Sequence, residues 1–326
     1  MKKIILYGAG ANLVNFISSN INILNYVDAI IDNSTSKYGM NFYGFIIQSK
    51  EHLKELHDDT IIAITSDKYY DDIKKDIQDI NDKLRCMRLA NALELVLPSI
   101  GKCNLCNSNV YNWSYIGEDN RTKYSIIGNG KRLGGCPICG CYDRVRWQYY
   151  VIENYTNMMD GNCNILHFAP ERMIQLNLRK KNVVTYITGD IELSKADYKI
   201  DITNIQFDDN KFDYIIANHI LEHVLDEEKA IKELIRCLKL NGSIMLSFPI
   251  CMDVDTLEDD KYDNEYDRTI FYGQKDHVRL YGRDYKERLE AYGLKVGIYS
   301  PEVLLDSKTV EQFGFIKDDI VLLCKA

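Results

Sequence analysis

The chain reads as an α/β protein built from two doubly wound parallel sheets joined by a small cysteine-rich segment. Three observations predict this. Short apolar runs alternate with stretches of helical period over about residues 1–97, and again over about 150–326. Between them, residues 100–147 carry two C-x-x-C pairs. A length of 326 residues is enough for two well-buried cores, and 46% hydrophobic with 27% charged residues is ordinary for a globular protein.

In the first segment, KKIILYGAG is a buried strand ending in a glycine turn, and NLVNFISSN continues as a helix. YVDAIIDNS and DTIIAITSD supply two further strands, while SKEHLKELHDD and KYYDDIKKDIQDIND have helical spacing. This alternation predicts a small Rossmann-like parallel sheet. Gly8 and Gly10 are placed for a dinucleotide-binding turn, and Asp32, 22 residues after Gly10, for the acid that meets a ribose. Leu13 occupies the third glycine position. A nucleotide-binding turn and a tight turn that binds nothing both fit.

In the second segment, Cys103-x-x-Cys106 and Cys136-x-x-Cys139 are separated by 29 residues. In a reducing compartment such pairs suggest metal rather than disulfides. Four thiolates complete a tetrahedral zinc shell with no open position, so a structural, zinc-ribbon-like site is expected. The length of the connection calls for an inserted hairpin, and Cys141 beside the second pair is left open. Cys86, Cys163, Cys237, Cys251 and Cys324 fall mostly in apolar runs and read as small core residues.

The third segment runs strand (NILHF), helix (ERMIQLNLRKK), strand (VVTYITGD), strand (YKIDI) and strand (KFDYIIANH). DEEKAIKELIRCLKLNG follows as a helix with acids in its first turn, one apolar face and Asn241-Gly242 as its stop. SIMLSFP, LKVGIYS and DIVLLCK complete the sheet. In such a sheet, ligands sit at the carboxyl ends of the strands.

The formal net charge of −8 argues against nucleic acid as the main partner, since a phosphate backbone favours a basic face. No apolar run approaches the ~18 residues of a membrane span, and no signal peptide precedes the first strand. A cytoplasmic protein acting on a small molecule is expected.

Two resemblances sharpen these expectations. Residues 1–97, with the strand ending in Asp32 and the stretch Lys37-Tyr38-Gly39 to Gly44, resemble the amino-terminal domain of sugar acyltransferases from surface-glycan pathways. That implies a nucleotide-activated or glycan-linked substrate. Nearly all of 150–326 is similar to class I S-adenosylmethionine-dependent methyltransferases. The match is carried by Asp201, Phe207, Phe212-Asp213, Leu221-Glu222-His223-Val224 and Leu238-Lys239-Leu240-Asn241-Gly242. The first loop departs from the family: His167, Phe168, Ala169, Pro170 and Glu171 stand where an acid and two glycines are usual. A subgroup with "LHFAPE" after a "CP-x-C-G…R-x-R" segment matches both this loop and CPICGCYDRVR at 136–146.

The resemblance implies S-adenosyl-L-methionine held by His167, Phe168, Ala169, Glu171, Asp190, Asp201, Ile202, Asn218 and His219. Glu171 would meet the methionine amino group, Asp190 the ribose, and Asp201 with Ile202 the adenine. Glu222 and His223 fall on the substrate side. Residues 253–267, with eight acids, read as a solvated insertion. FYGQKDHVRLYGRDY beyond it matches the subgroup's second signature and offers His277 as a proton acceptor, beside His219 in the turn after the fourth strand, with Arg279 and Tyr281 binding the substrate. The string His219-Ile-Leu-Glu222-His223 also spells an inverted zinc-peptidase motif, which needs a helix rather than this strand-to-helix turn. A methyltransferase fold without catalysis, and a nucleotide-sugar oxidoreductase using the first segment, are the competing functions.

Overall fold

The computed structural model describes residues 3–19, 21–96, 99–118, 122–181 and 184–326. Leu97, the expected end of the first segment, and Val183, which opens the expected strand VVTYITGD, lie outside the described residues. The chain forms two compact units, Met1–Ile100 with Asn109–Asn112, and Gly101–Ser108 with Trp113–Ala326. The cysteine-rich segment therefore belongs mainly to the same unit as the carboxyl-terminal sheet.

The first unit comprises β1 (Ile4–Tyr7), α1 (Ala11–Ser19), β2 (Val27–Ile31), β3 (Ile61–Ile64), α2 (Tyr70–Ile80), β4 (Arg85–Arg88) and α3 (Leu89–Val96). The strands form a parallel sheet of order β2-β1-β3-β4. Side chains alternate across it: Ile4 and Leu6 pack with Leu13 and Ile17, Ile5 and Tyr7 with Ile62 and Ile77. Both faces are covered, which is why the strands read as continuous apolar runs. SKEHLKELHDD forms only a 3-10 turn over Lys50–Glu55.

Gly8 makes the turn after β1 at φ 106°, donating its amide to the Ile31 carbonyl at 2.8 Å. A Cβ there would lie 2.6 Å from Thr65 Oγ1, so the turn needs glycine. Asp32 is 4% exposed and turned inward. Its Oδ2 accepts from Ala9 N at 2.7 Å and Lys37 Nζ at 2.9 Å, and its Oδ1 from Ser34 N at 2.8 Å. Burial opposes its ionisation, but Lys37 and the two amides outweigh it and hold the carboxyl below the usual carboxylate range. Asp32, expected at a ribose, here forms an internal clasp that closes the glycine turn.

The second unit contains α4 (Asp143–Tyr155), β5 (Asn164–Phe168), α5 (Arg172–Arg179), β6 (Thr185–Asp190), β7 (Tyr198–Lys199), β8 (Phe212–Asn218), α6 (Glu227–Cys237), β9 (Leu238–Ser247), α7 (Glu265–Tyr272), α8 (Tyr285–Ala291), β10 (Lys295–Tyr299) and β11 (Val321–Lys325). Its sheet has the order β7-β6-β5-β8-β9-β11-β10, parallel except for β11. Strand order reverses beside β5 and β8, which opens a crevice at their carboxyl ends. Asp213 ties the two together, accepting from Asn164 N and Lys239 Nζ, each at 2.8 Å.

The sixth helix stops at Cys237, four residues short of the expected Asn241-Gly242. Leu238 is instead extended, buried and paired with Phe212. Asn241 still takes a positive φ of 69°, inside the long strand rather than at a helix end.

A central-strand truncation tests this division of the core. Leu166 is fully buried in β5, so Leu166→Ala is expected to cost the second unit about 2–5 kcal/mol. Calorimetry should show its transition lowered and that of the first unit unmoved.

Candidate active site

The loops after β5, β6 and β8 enclose a cleft of about 710 Å³ lined by Phe168, Ala169, Asp190, Asp201, Ile202 and His219 among others. Ala169 sits at φ 40°, in the left-handed region that favours glycine, and donates its amide to the Gly189 carbonyl at 2.8 Å. Gly189 has no room for a side chain, because its Cβ would meet Ile200 Cδ1 at 2.7 Å. The loop therefore keeps a glycine-like path without the glycines. Asp190 Oδ1 accepts from Glu192 N, and Asp201 Oδ1 from Thr203 N and Oγ1, all at 2.8 Å. These turns fix two carboxylates at the cleft edge.

His167 and Glu171 do not line this cleft. His167 is fully buried, donating from Nε2 to Glu171 Oε2 at 2.7 Å and accepting at Nδ1 from the Tyr186 hydroxyl at 2.8 Å. Glu171 Oε1 accepts from Asn218 Nδ2 at 3.3 Å. Burial opposes the charge on Glu171, but the bond to His167 outweighs it and keeps the carboxyl below its usual range. His167, Glu171 and Asn218, all expected at the cofactor, form an internal brace beneath the loop.

A second, smaller cavity of about 70 Å³ is lined by Asn129, Arg144, His219, Gln274, His277 and Asp319 among others. An outer groove of about 520 Å³ shares Asn129, Arg144 and Gln274 with it. His219 lines both the cleft and the small cavity. It too has a positive φ, 55°, and its amide donates to the Ser247 carbonyl at 2.7 Å. Its Nδ1 donates to Glu222 Oε1 at 3.2 Å, which leaves Nε2 without a partner among the described residues. Burial pushes the imidazole pKa down. Asp319 escaped the sequence reading because Asp318-Asp319 looks like any solvated acidic pair. Burial and the nearby Asp143 carboxylate push it up to about 7.

His277 is buried and donates from Nδ1 to the Tyr272 carbonyl at 2.9 Å. Glu222 is 1% exposed and His223 half-buried, its ring packed edge-on against His277 with centroids 4.8 Å apart. The expected substrate role of Arg279 and Tyr281 fails on burial. Arg279 is fully buried, its guanidinium bound to the carbonyls of Leu221, Val224 and Leu225 and to Glu258 Oε1 at 2.6 Å. Tyr281 is likewise buried, donating its hydroxyl to Glu227. Glu258 of the acidic insertion also pairs with Arg288 at 2.6 Å, so that stretch is anchored rather than merely solvated.

The cysteines gather within the second unit. Four thiolates on zinc sit about 3.8 Å apart, given Zn–S near 2.3 Å. Cys103 Sγ lies 3.8 Å from Cys139 Sγ, and Cys106 Sγ 3.8 Å from Cys136 Sγ. Cys141 joins them, 3.4 Å from Cys103 and 3.3 Å from Cys139. The sulfurs of Cys103, Cys136, Cys139 and Cys141 are all within 4.8 Å of one another. Cys106 falls outside that group, so Cys141 competes with it for the fourth position. The donor set and spacing fit zinc. Among the described residues, no helix is long and apolar enough to cross a membrane.

Residues 155–246 match the family model described as "Methyltransferase domain", and residues 1–87 the one described as "C2185-like, N-terminal". No curated protein matches the chain. Among solved structures, a methyltransferase dependent on S-adenosylmethionine from Archaeoglobus fulgidus is 14% identical, covering 56% of this chain and 94% of its own, with a TM-score of 0.38. Another from Mesorhizobium loti is 9% identical, covering 55% and 96%, with a TM-score of 0.39. The family-model match lies within the second unit and runs from the end of α4 to the end of β9.

Two measurements test the local chemistry. Elemental analysis is expected to find one zinc per chain, lost in Cys103→Ser and Cys136→Ser. Arg279→Met strands the carbonyls of Leu221, Val224 and Leu225 and should destabilise the second unit by roughly 3 kcal/mol, the low end for a broken buried pair because Glu258 keeps solvent contact. Denaturant unfolding reads that loss directly.

Proposed function

We propose that the protein methylates a small anionic acceptor, nucleotide-activated or glycan-linked, in the modification of a surface glycan. The observation that carries this reading is the position of His219 on the walls of both the cofactor cleft and the small cavity. A cofactor in the one and an acceptor in the other would meet across it. The cleft fits S-adenosylmethionine by its glycine-like loop, its two fixed carboxylates and the buried Ile202. When bound, the cofactor supplies a methyl group on a sulfonium centre. The chain supplies alignment of the acceptor along the methyl–sulfur axis, which accounts for much of such catalysis.

Arg144 supports an anionic acceptor. It lines both the cavity and the groove, and among the described residues its guanidinium has no ion-pair partner. Arg132, also on the groove, is committed to Asp143 through two bonds of 2.8 Å. The glycan link rests on the resemblance of the first segment.

Asp319 is the proton acceptor that the cavity offers. It is raised to about 7 by burial and Asp143, against the pull of Arg144 and Arg132, and shares its cavity with His219 and His277. A carboxylate titrating near neutrality suits general-base work.

Calorimetry is expected to show S-adenosylmethionine binding, weakened at least tenfold by Asp190→Ala or Asp201→Ala. Absence of binding overturns the reading. With an acceptor in hand, kcat/KM should rise with pH as Asp319 loses its proton and level off above about 7. Asp319→Asn should abolish that rise and slow turnover about 10²–10⁴-fold.

A further inference from the structure

We infer that Glu222, His223 and His277 form a site for a divalent transition-metal cation in the wall between the cofactor cleft and the acceptor cavity. One donor atom from each lies within 4.8 Å of the other two. Two imidazoles and one carboxylate are the donor set of three-ligand sites that leave positions open for water or an oxygen of the substrate.

The second atom of each donor group is already engaged, as ligands of a metal require. His277 Nδ1 donates to the Tyr272 carbonyl, which leaves Nε2 bearing a lone pair. His223 Nδ1 lies 3.2 Å from Asp276 Oδ2, which orients that ring in the same way. Glu222 Oε1 accepts from His219 Nδ1, while the buried Oε2 has no partner among the described residues. A buried carboxylate oxygen is thus left unpartnered on a residue of this three-donor group, a lack that a cation would meet. The placement matches a role at the acceptor: His277 lines the small cavity, His223 the cleft, and Asp276 both the cleft and the outer groove. Two nitrogens among three donors favour manganese, iron, cobalt or zinc over magnesium.

Manganese is the probe, because the thiolates at the cysteine cluster favour softer ions. Titration of zinc-replete protein followed by electron paramagnetic resonance, with neither cofactor nor acceptor present, should show one Mn²⁺ bound per chain. Glu222→Gln and His277→Gln should each abolish uptake, and Asp276→Asn should weaken it 10–100-fold, with zinc content and thermal transition unchanged. Should His277→Gln fail to fold, His223→Gln at the half-buried position replaces it. No uptake at millimolar Mn²⁺, or uptake insensitive to Glu222→Gln, overturns the site. Either result leaves the methyltransferase reading untouched, since that rests on cofactor binding.

Discussion

The architecture of the site depends on one buried guanidinium. The turn from Leu221 to Leu225 leaves β8 as a short 3-10 segment, Leu221–His223, too brief to satisfy its own carbonyls. Arg279 takes up three of them and hands its remaining charge to Glu258. The Val278 amide adds a bond of 2.8 Å to the Glu222 carbonyl. Two distant stretches are thereby locked in register, with Glu222 and His223 on one and His277 on the other. A planar donor fork suits this task, because its two terminal nitrogens reach four acceptors where a lysine has a single nitrogen.

A second buried arginine does comparable work for the cysteine-rich segment. Arg146 donates to the carbonyls of Phe313, Gly134 and Gly314 at 2.8 Å, and its guanidinium lies 4.0 Å from the Trp113 ring. The excursion between the cysteine pairs docks in turn, with Ile127 N donating to the Ile250 carbonyl at 2.9 Å and Ile126 packed against Tyr272. Ile126 to Asn129 then become a wall of the small cavity. A zinc shell at the base of this excursion would hold that wall in place.

The sheets were legible because their physics is local. Runs such as KKIILY and KFDYIIAN declare buried parallel strands, and the acids of α6 declare a helix start. Partners distant in sequence were not legible. Arg279 and Tyr281 lie in a motif rich in polar residues, and nothing in the string distinguishes a substrate contact from a buried clasp. Only the fold brings Leu225 and Glu258 to Arg279, or Glu227 to Tyr281. The engagement of Asp32 was hidden for the same reason, since Lys37 reaches back to it only in the folded turn. Asp319 gains its character from Asp143 and burial, neither of which its neighbours in the chain reveal.

The loop after β5 keeps its shape without the acid and glycines that the family resemblance leads one to expect. The buried imidazole of His167 needs partners for both nitrogens, and Tyr186 with Glu171 supply them. Glu171 stands four residues along, at the N-cap of α5, where an anion is also favoured by the helix dipole. It still contacts Asn218, at the carboxyl end of β8, so charge is retained near the switch point. Ala169 meanwhile accepts a conformation that strains any residue with a Cβ. The amide bond to Gly189 holds the chain in that conformation. His167 and Glu171 are therefore coupled, since each supplies the other's buried partner.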